Sequence, residues 1–184
     1  MYIVFFEPIF SIKHFIRYPL KWIIKLFSQS KFNHVAHTIH KNGVTFIAES
    51  KGKGYRHLPL EKSLLQSKSI LHAYKVRKKF SKEALDNFEQ SMMGKKYDLI
   101  GAIYSEVHNI PILKKIFERK KNDEKVFCSE AELRMCVALN FIPSIYNPNH
   151  FSPQEYLELL MTWEIVNPTP EIWLLDEEKS KAII

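Results

Sequence analysis

Apolar residues follow one another, or alternate with polar ones, in several short segments of this chain, and that pattern predicts β-strands. The segments span residues 2–6, 33–40, 44–49 and 70–77, with a fifth at residues 171–175. Asn42 and Gly43 separate the second segment from the third, and Asn-Gly between two such runs is typical of a two-residue type I′ turn. The sequence therefore predicts a β-hairpin formed by residues 33–40 and 44–49.

Helical spacing of apolar residues predicts five further elements. They are residues 18–28, 82–93, 97–108, 128–140 and 153–161. Ser81 and Pro153 suit the starts of two of these helices. Residues 51–60 contain two glycines and a proline, which predicts a loop, and the lysine-rich residues 113–125 predict an exposed connection. A hairpin combined with helices indicates the α+β class.

Length and composition indicate a single folded unit. The chain has 184 residues, of which 46% are hydrophobic and 26% are charged, and these values are typical of a globular domain with its own core. We expect one domain over residues 1–175 and a polar C-terminal tail over residues 176–184. The chain has only five glycines and no glycine-rich phosphate-binding motif, so we expect no nucleotide cofactor.

Charge and hydropathy bear on the partners and the compartment. The formal net charge is +7, which is typical of a solvated basic surface and, as an alternative, suits contact with an anionic cell-wall or membrane surface. A nucleic-acid partner fits the charge but has no recognition motif to support it, and the sequence does not predict an oligomeric state. Residues 18–28 form a basic amphipathic segment, which can lie on a membrane but is more typical of a helix packed on its own domain. The sequence has no signal-peptide pattern and no long apolar run, so we expect a cytoplasmic protein, with a phage or virion origin as an alternative.

Two cysteines are present, Cys128 and Cys136, and on one helix they lie too far apart to form a disulfide. Cys128 begins the predicted helix 128–140, where the helix dipole and unpaired N–H groups favour the reactive thiolate. The same N–H groups can stabilise an oxyanion. A buried core thiol is the alternative interpretation of Cys128. Cys136 lies in the middle of the helix among apolar residues, which indicates a packing role.

A thiolate nucleophile needs a base, and the first strand of the predicted hairpin carries three histidines. Because strand residues alternate between faces, His34 and His40 share one face and His37 points to the other. This separation argues against a metal site made by all three. With a two-residue turn, Ala36 faces Glu49, and Glu49 becomes a diagonal neighbour of His34. Glu49 can then orient the imidazole and stabilise its protonated form.

Five short motifs follow one another along the chain. They are KFNHVA at residues 31–36, AES followed by a glycine-containing stretch at residues 48–60, GKKYD at residues 94–98, VFCSE at residues 126–130 and SPQEYL at residues 152–157. In this order they resemble the circularly permuted NlpC-like branch of the papain superfamily, which includes YiiX-like bacterial proteins, related poxvirus proteins and, more distantly, the lecithin:retinol acyltransferases. The resemblance covers roughly residues 20–160. Asn33 departs from the Ser that is usual there, and Ala131 and Glu132 replace a common aliphatic pair.

The resemblance implies a permuted papain-like fold, with a small antiparallel sheet packed on the helix that begins at Cys128, and a catalytic triad. Cys128 would be the nucleophile, His34 the base and Glu49 the orienting third residue, and the reaction would need no metal and no cofactor. The implied activity is that of a cysteine peptidase or amidase-like hydrolase. It would cleave an amide bond, such as a peptide or peptidoglycan-type bond, or an ester bond, through a thioester acyl-enzyme.

Three further residues lie within the matching motifs, and two other functions stay open. Tyr97, Asp98 and Ser129 would line the cleft or support it, and a structural role is favoured for the first two. One alternative function is that of a lipid acyltransferase or phospholipase with the same triad. The other is that of a non-catalytic binding protein on the same fold.

Overall fold

The computed structural model describes most of the chain. The described residues are 1–9, 30–67, 69–108, 110, 115, 124–147 and 150–174. The predicted helix 18–28 and the predicted tail 176–184 lie outside the described residues, and so does most of the predicted connection 113–125.

An antiparallel sheet of six strands lies at the centre of the described part of the chain. The strands are β1 Tyr2–Pro8, β2 His34–Lys41, β3 Val44–Lys51, β4 Gly54–Pro59, β5 Ser69–Lys75 and β8 Glu171–Trp173, in the order β4-β3-β2-β1-β5-β8. Two short strands, β6 Lys96–Tyr97 and β7 Lys125–Val126, pair with each other in parallel. Together with the helices, this sheet confirms the predicted α+β class.

Five helices have both ends within the described residues. They are α1 Leu60–Ser67, α2 Lys82–Met92, α3 Leu99–Val107, α4 Cys128–Ala138 and α5 Pro153–Thr162. Side chains cap the starts of three of them, which satisfies N–H groups that the first turn of a helix leaves unpaired. Ser81 caps α2 and Asp98 caps α3. Ser152 and Glu155 form a capping box at the start of α5.

The sheet carries an apolar cluster on each face. Alternate residues of β1 divide between the two clusters: Ile3 and Phe5 pack with α2, α4 and α5, whereas Val4 and Phe6 pack beside α1. Because β1 is buried on both faces, its sequence is a continuous apolar run without alternation. The first of these clusters is the larger one, and it is the surface on which α4 lies.

The predicted loop at residues 51–60 is wrong. The chain forms strand β4 there, paired with β3, and then enters α1, for which no element was predicted. Gly52 and Gly54 were interpreted as loop signals, but with φ of 54° and 127° they shape a tight turn between two paired strands. Pro59 ends the strand, at a position where its missing N–H is tolerated.

The other predicted elements that fall within the described residues are confirmed. Their ends differ from the predicted ends by no more than two residues. None of the described helices combines the length and the apolar character that crossing a membrane requires.

Candidate active site

The hairpin of β2 and β3 has the predicted register. Lys41 pairs with Val44 at the turn. Asn42 and Gly43 have φ of 51° and 78°, the left-handed values that a type I′ turn requires at both positions. The register set at this turn continues along the hairpin and decides which side chains meet at its far end.

His34 and Glu49 form a hydrogen-bonded pair at that far end. The Nε2 atom of His34 lies 2.8 Å from Oε2 of Glu49, and both residues are buried. The His34 ring also packs on Phe6 of β1, with 4.9 Å between the ring centroids. A carboxylate bound to one ring nitrogen fixes the tautomer of a neutral imidazole. The Nε2–H group of His34 therefore points to Glu49, and Nδ1 is the nitrogen that can accept a proton.

Cys128 is the first residue of α4 and lies beside the strand that carries His34. The backbone N–H groups of Val35 and Ser129 lie close enough to its Sγ atom to lower the pKa of the thiol. Val35 directly follows His34 in β2 and shares the larger apolar cluster with Cys128, whereas Phe6, on which His34 packs, belongs to the smaller one. Cys128 therefore lies next to Val35, the residue that follows His34, on the face of the sheet that carries the larger cluster.

The start of β2 and the end of β3 contact the junction between β7 and α4. The pairing of the two strands runs from the turn as far as His37, and beyond it the Val35 amide lies near the sulfur of Cys128. On β3, the Ser50 hydroxyl donates to the carbonyl oxygen of Val126 at 2.7 Å. Both strands thus position the start of the helix that carries the candidate nucleophile.

Burial controls the protonation of the thiol and the imidazole. It raises the pKa of Cys128 to about 12, although the nearby N–H groups of Val35 and Ser129 act in the opposite direction. The expectation that the helix start favours a thiolate is therefore wrong for the substrate-free protein, because loss of water outweighs the helix dipole. Burial also lowers the pKa of His34, although the hydrogen bond to Glu49 raises it. Near neutral pH the two groups are a thiol and a neutral imidazole.

The three predicted supporting residues have different positions. Asp98 caps α3 through a backbone N–H group 2.9 Å away, which is a structural role. The Ser129 hydroxyl donates to the carbonyl oxygen of Phe151 at 2.5 Å and ties α4 to the segment before α5. Tyr97 lies near Cys128: burial, followed by the negative charge of a Cys128 thiolate, raises the pKa of Tyr97. Tyr97 and Ser129 therefore both lie next to the candidate nucleophile.

Arg56 is a residue of this site that the sequence analysis missed. Its Nε and Nη2 atoms lie 2.9 and 2.5 Å from Oε1 of Glu49. Burial by itself would raise the pKa of Glu49, but the contacts with His34 and the nearby positive charges lower it to about 2. Gly52 could have revealed this contact. A two-residue turn at Gly52 and Lys53 places Arg56 opposite Glu49, and the two residues do pair in the structure.

A buried network around His37 was also missed. The His37 Nδ1 atom lies 2.9 Å from Oε1 of Glu132, and Nε2 lies 2.8 Å from Oε1 of Glu89. The Tyr55 hydroxyl and the His57 ring also bind Glu89. Burial would lower the pKa of His37, but the two carboxylates raise it to about 10, so its ring is protonated at neutral pH. The sequence offered one sign of this network: the predicted helices that became α2 and α4 each contain one of these glutamates, Glu89 and Glu132.

Comparisons with known proteins bear on the fold. No protein-family profile matches the chain, and no curated protein matches it. The chain is similar to the crystal structure of the metalloprotein yiiX from Escherichia coli O157:H7, with a TM-score of 0.54, 15% sequence identity, and coverage of 96% of this chain and 88% of that one. The two proteins share a fold. At this identity the likeness concerns the fold alone.

The side chains of the described residues do not fit a metal centre. Within the part of the chain that the structure describes, no group of three or more His, Cys, Asp and Glu side chains is placed to hold a metal ion. In the network around His37, both ring nitrogens point at carboxylate oxygens at hydrogen-bonding distance.

Proposed function

We propose that this protein is a cysteine hydrolase of the permuted papain-like type, with Cys128 as nucleophile, His34 as base and Glu49 as the residue that orients the base. The observation that carries the proposal is the buried hydrogen bond between His34 and Glu49, next to the helix start at Cys128. The fold shared with yiiX and the five ordered sequence motifs support it. The substrate would be an amide, such as a peptide or peptidoglycan-type bond, or an ester.

Acylation starts from the neutral thiol and imidazole. Nδ1 of His34 accepts the thiol proton while the sulfur of Cys128 attacks the carbonyl carbon and a C–S bond forms. Glu49 stabilises the imidazolium that results. His34 then donates the proton to the leaving nitrogen or oxygen. The bond between that atom and the carbonyl carbon breaks, and a thioester remains on the enzyme.

Deacylation uses the same residues with water as the nucleophile. His34 accepts a proton from the water molecule while the oxygen attacks the thioester carbon. The C–S bond breaks, the carboxylic acid leaves, and the proton returns to the sulfur of Cys128. In both steps the oxyanion forms near the start of α4, where N–H groups and the helix dipole favour negative charge.

Hydrolysis assays with matched variants test the proposal. On a p-nitrophenyl ester and on a chromogenic peptide amide, we expect Cys128→Ala and His34→Ala each to lower kcat/KM by about 10²-fold or more. Cys136→Ala makes the same change in a buried thiol in the last turn of α4, so we expect it to retain activity. Equal activity in Cys128→Ala and Cys136→Ala would contradict the proposal and favour a binding protein on this fold.

An acyl lipid is the second candidate substrate. Leu99 and Ile100, in the first turn of α3, are 61% and 57% exposed. The adjoining strands β6 and β7, which lead into α3 and α4, expose Lys96 and Lys125. Apolar side chains beside positive charges suit the surface of an anionic membrane, and this surface lies where both helices begin.

Vesicle assays separate the two substrate classes. For a lipid substrate, we expect ester hydrolysis in vesicles that contain phosphatidylglycerol to exceed hydrolysis in pure phosphatidylcholine vesicles. A double variant, Leu99→Ser with Ile100→Ser, would lower vesicle hydrolysis and leave hydrolysis of the soluble p-nitrophenyl ester unchanged. Activity on the peptide amide without any vesicle hydrolysis would exclude the lipid substrate.

A further inference from the structure

Glu49 divides its two carboxylate oxygens between two partners. Oε2 lies 2.8 Å from Nε2 of His34, whereas Oε1 lies 2.9 and 2.5 Å from Nε and Nη2 of Arg56. We propose that Arg56 is a positioning residue that holds Glu49 in this orientation and keeps His34 in its neutral, proton-accepting form. The inference rests on the proposed function, because it assigns Arg56 a part in the same site.

The hairpin of β3 and β4 places Arg56 directly against Glu49. The two residues pair across the ladder. Gly54, which begins β4, has a φ of +127°, and a Cβ atom there would lie 2.2 Å from the carbonyl oxygen of Lys95. The amide of Tyr55 donates to the same oxygen at 3.0 Å. Because β4 is thus fixed against the segment before β6, the backbone of Arg56 has a defined position next to Glu49.

Two N–H donors on one oxygen prevent the carboxylate from rotating. Glu49 is only 1% exposed, and a carboxylate buried to that extent needs hydrogen-bond donors and a positive charge. The Arg56 side chain is 41% exposed, so it supplies the charge while staying in contact with water itself. Lysine could supply the charge but lacks the planar, forked donor group.

Arg56 also contributes, after Lys51, to the positive charge that acts on the base. The charged groups that act on His34 are Glu49 and Lys51 from β3 and Arg56 from β4. Burial has the largest effect and lowers the pKa of His34; Glu49 raises it, and the two basic residues lower it. Without Arg56, the charge of Glu49 would act on His34 with less opposition, which favours the imidazolium. An imidazolium cannot accept the thiol proton.

NMR titration of the His34 ring tests this inference without any substrate. The His34 signal is identified by its loss in His34→Gln, and its pKa is then measured in the wild type, Arg56→Gln and Arg56→Lys. We expect Arg56→Gln to raise the pKa of His34 by about one unit or more, and Arg56→Lys to raise it less because the charge remains. Lys53→Gln is the matched control: it removes one positive charge from the same hairpin, away from Glu49, and should leave the pKa unchanged.

The pH dependence of kcat/KM gives a second measurement, because its acid limb reports deprotonation of the base. We expect this limb to move to higher pH in Arg56→Gln by the same amount as the NMR pKa. An unchanged pKa of His34 in folded Arg56→Gln overturns the inference even if the enzyme is active. A shifted pKa in a protein without hydrolase activity supports the effect of Arg56 and overturns the proposed function instead. Should Arg56→Gln fail to fold, wild-type values of both the pKa and kcat in Arg56→Lys overturn the inference.

Discussion

The pKa of the Cys128 thiol depends more on burial than on the position of Cys128 at a helix start. The substrate-free protein therefore has little thiolate near neutral pH, and in the proposed mechanism the thiol keeps its proton until a substrate is bound and His34 accepts it. A protein of this kind reacts slowly with general thiol reagents and still performs nucleophilic chemistry on a bound carbonyl group. Slow alkylation is therefore compatible with the proposed mechanism.

Alkylation by iodoacetamide measures this protonation state. We expect the rate for Cys128 to be low at neutral pH and to keep rising above the ordinary thiol pKa of about 8.5, because burial raises the pKa of Cys128 and only the thiolate reacts. The Cys136→Ala variant leaves Cys128 as the only thiol to be measured. A rate that reaches its plateau near neutral pH would show a stabilised thiolate and contradict this picture.

Exchange of the Glu49 carboxylate for an amide tests the third member of the proposed triad. We expect Glu49→Gln to lower kcat by about 10²- to 10⁴-fold with a smaller effect on KM, because the protonated form of His34 loses its counter-charge. Glu61→Gln makes the same exchange at an exposed position of α1 and serves as the control. Thermal unfolding shows whether each variant is folded. Equal kcat values in the two folded variants would remove Glu49 from the mechanism.

Some contacts of single residues could be predicted from the sequence, and others could not. The contact between His34 and Glu49 could be predicted because one turn with a known geometry fixes the register of both strands. The contact of Arg56 depends on a second turn, at Gly52, whose glycines were interpreted as a loop. The protonation state of Cys128 could not be predicted, because it depends on how deeply packing buries the start of α4.

At the level of elements, the network around His37 joins α4 to the strand that carries the candidate base. His37 lies three positions after His34 on β2, and its partner Glu132 lies four positions after Cys128 on α4, about one helical turn. The contact between His37 and Glu132 therefore fixes the position of α4 along β2. A change in this contact would alter the relative position of nucleophile and base.

The stability of the protein at alkaline pH tests this network. The carboxylates raise the pKa of His37, against the effect of burial, to about 10, compared with about 6.5 in an unfolded chain. The folded protein thus retains a proton that the unfolded chain has lost. The contribution of His37 is complete below about pH 6.5 and is lost as the pH rises through its folded value of about 10. In that interval we expect this residue to lower the free energy of unfolding by about 1.4 kcal/mol per pH unit.

Urea denaturation at a series of pH values measures that slope. We expect His37→Gln to lack this contribution, so that its stability declines less steeply with rising pH than that of the wild type. His40→Gln removes an exposed histidine from the same strand and should keep the wild-type slope. Identical slopes in the wild type and His37→Gln would mean that the network does not hold a proton.

The turn between β3 and β4 gives a separate test. We expect Gly54→Ala to destabilise the protein more than Gly52→Ala, because only a Cβ atom at Gly54 meets the Lys95 carbonyl oxygen, at 2.2 Å, whereas Gly52 has open space around it. Gly52→Ala introduces left-handed strain alone, with a cost of about 1 kcal/mol. Urea denaturation measures both values. Similar losses of stability would show that β4 is not held tightly against the segment before β6.

The elements that local signals specify were predictable, and those that depend on a distant partner were not. Ser81 and Pro153 mark helix starts through nearby backbone groups, and the apolar pattern located α4 as well. The two-residue strands β6 and β7 exist only because they pair with each other across a long stretch of sequence. Strand β4 likewise carries few apolar residues and depends on its pairing with β3.

At the scale of the whole molecule, the candidate site is assembled from segments that are distant in sequence. It combines the ends of β2 and β3, the start of β4 and the junction between β7 and α4. The α+β class and the antiparallel sheet were predictable from the patterns of strands and helices. The packing of α4 beside β2 was expected only through the family resemblance, because residue patterns do not specify which helix covers which face of a sheet.

Covalent trapping of the acyl-enzyme tests the central claim most directly. The protein is mixed with a p-nitrophenyl ester, quenched in acid within the first turnovers, and analysed by intact-protein and peptide mass spectrometry. We predict one acyl group per chain, mapped to Cys128, present in Cys136→Ala and absent in Cys128→Ala. Hydrolysis of the ester without any adduct, or an adduct mapped to Cys136, would contradict the assignment of Cys128 as the nucleophile.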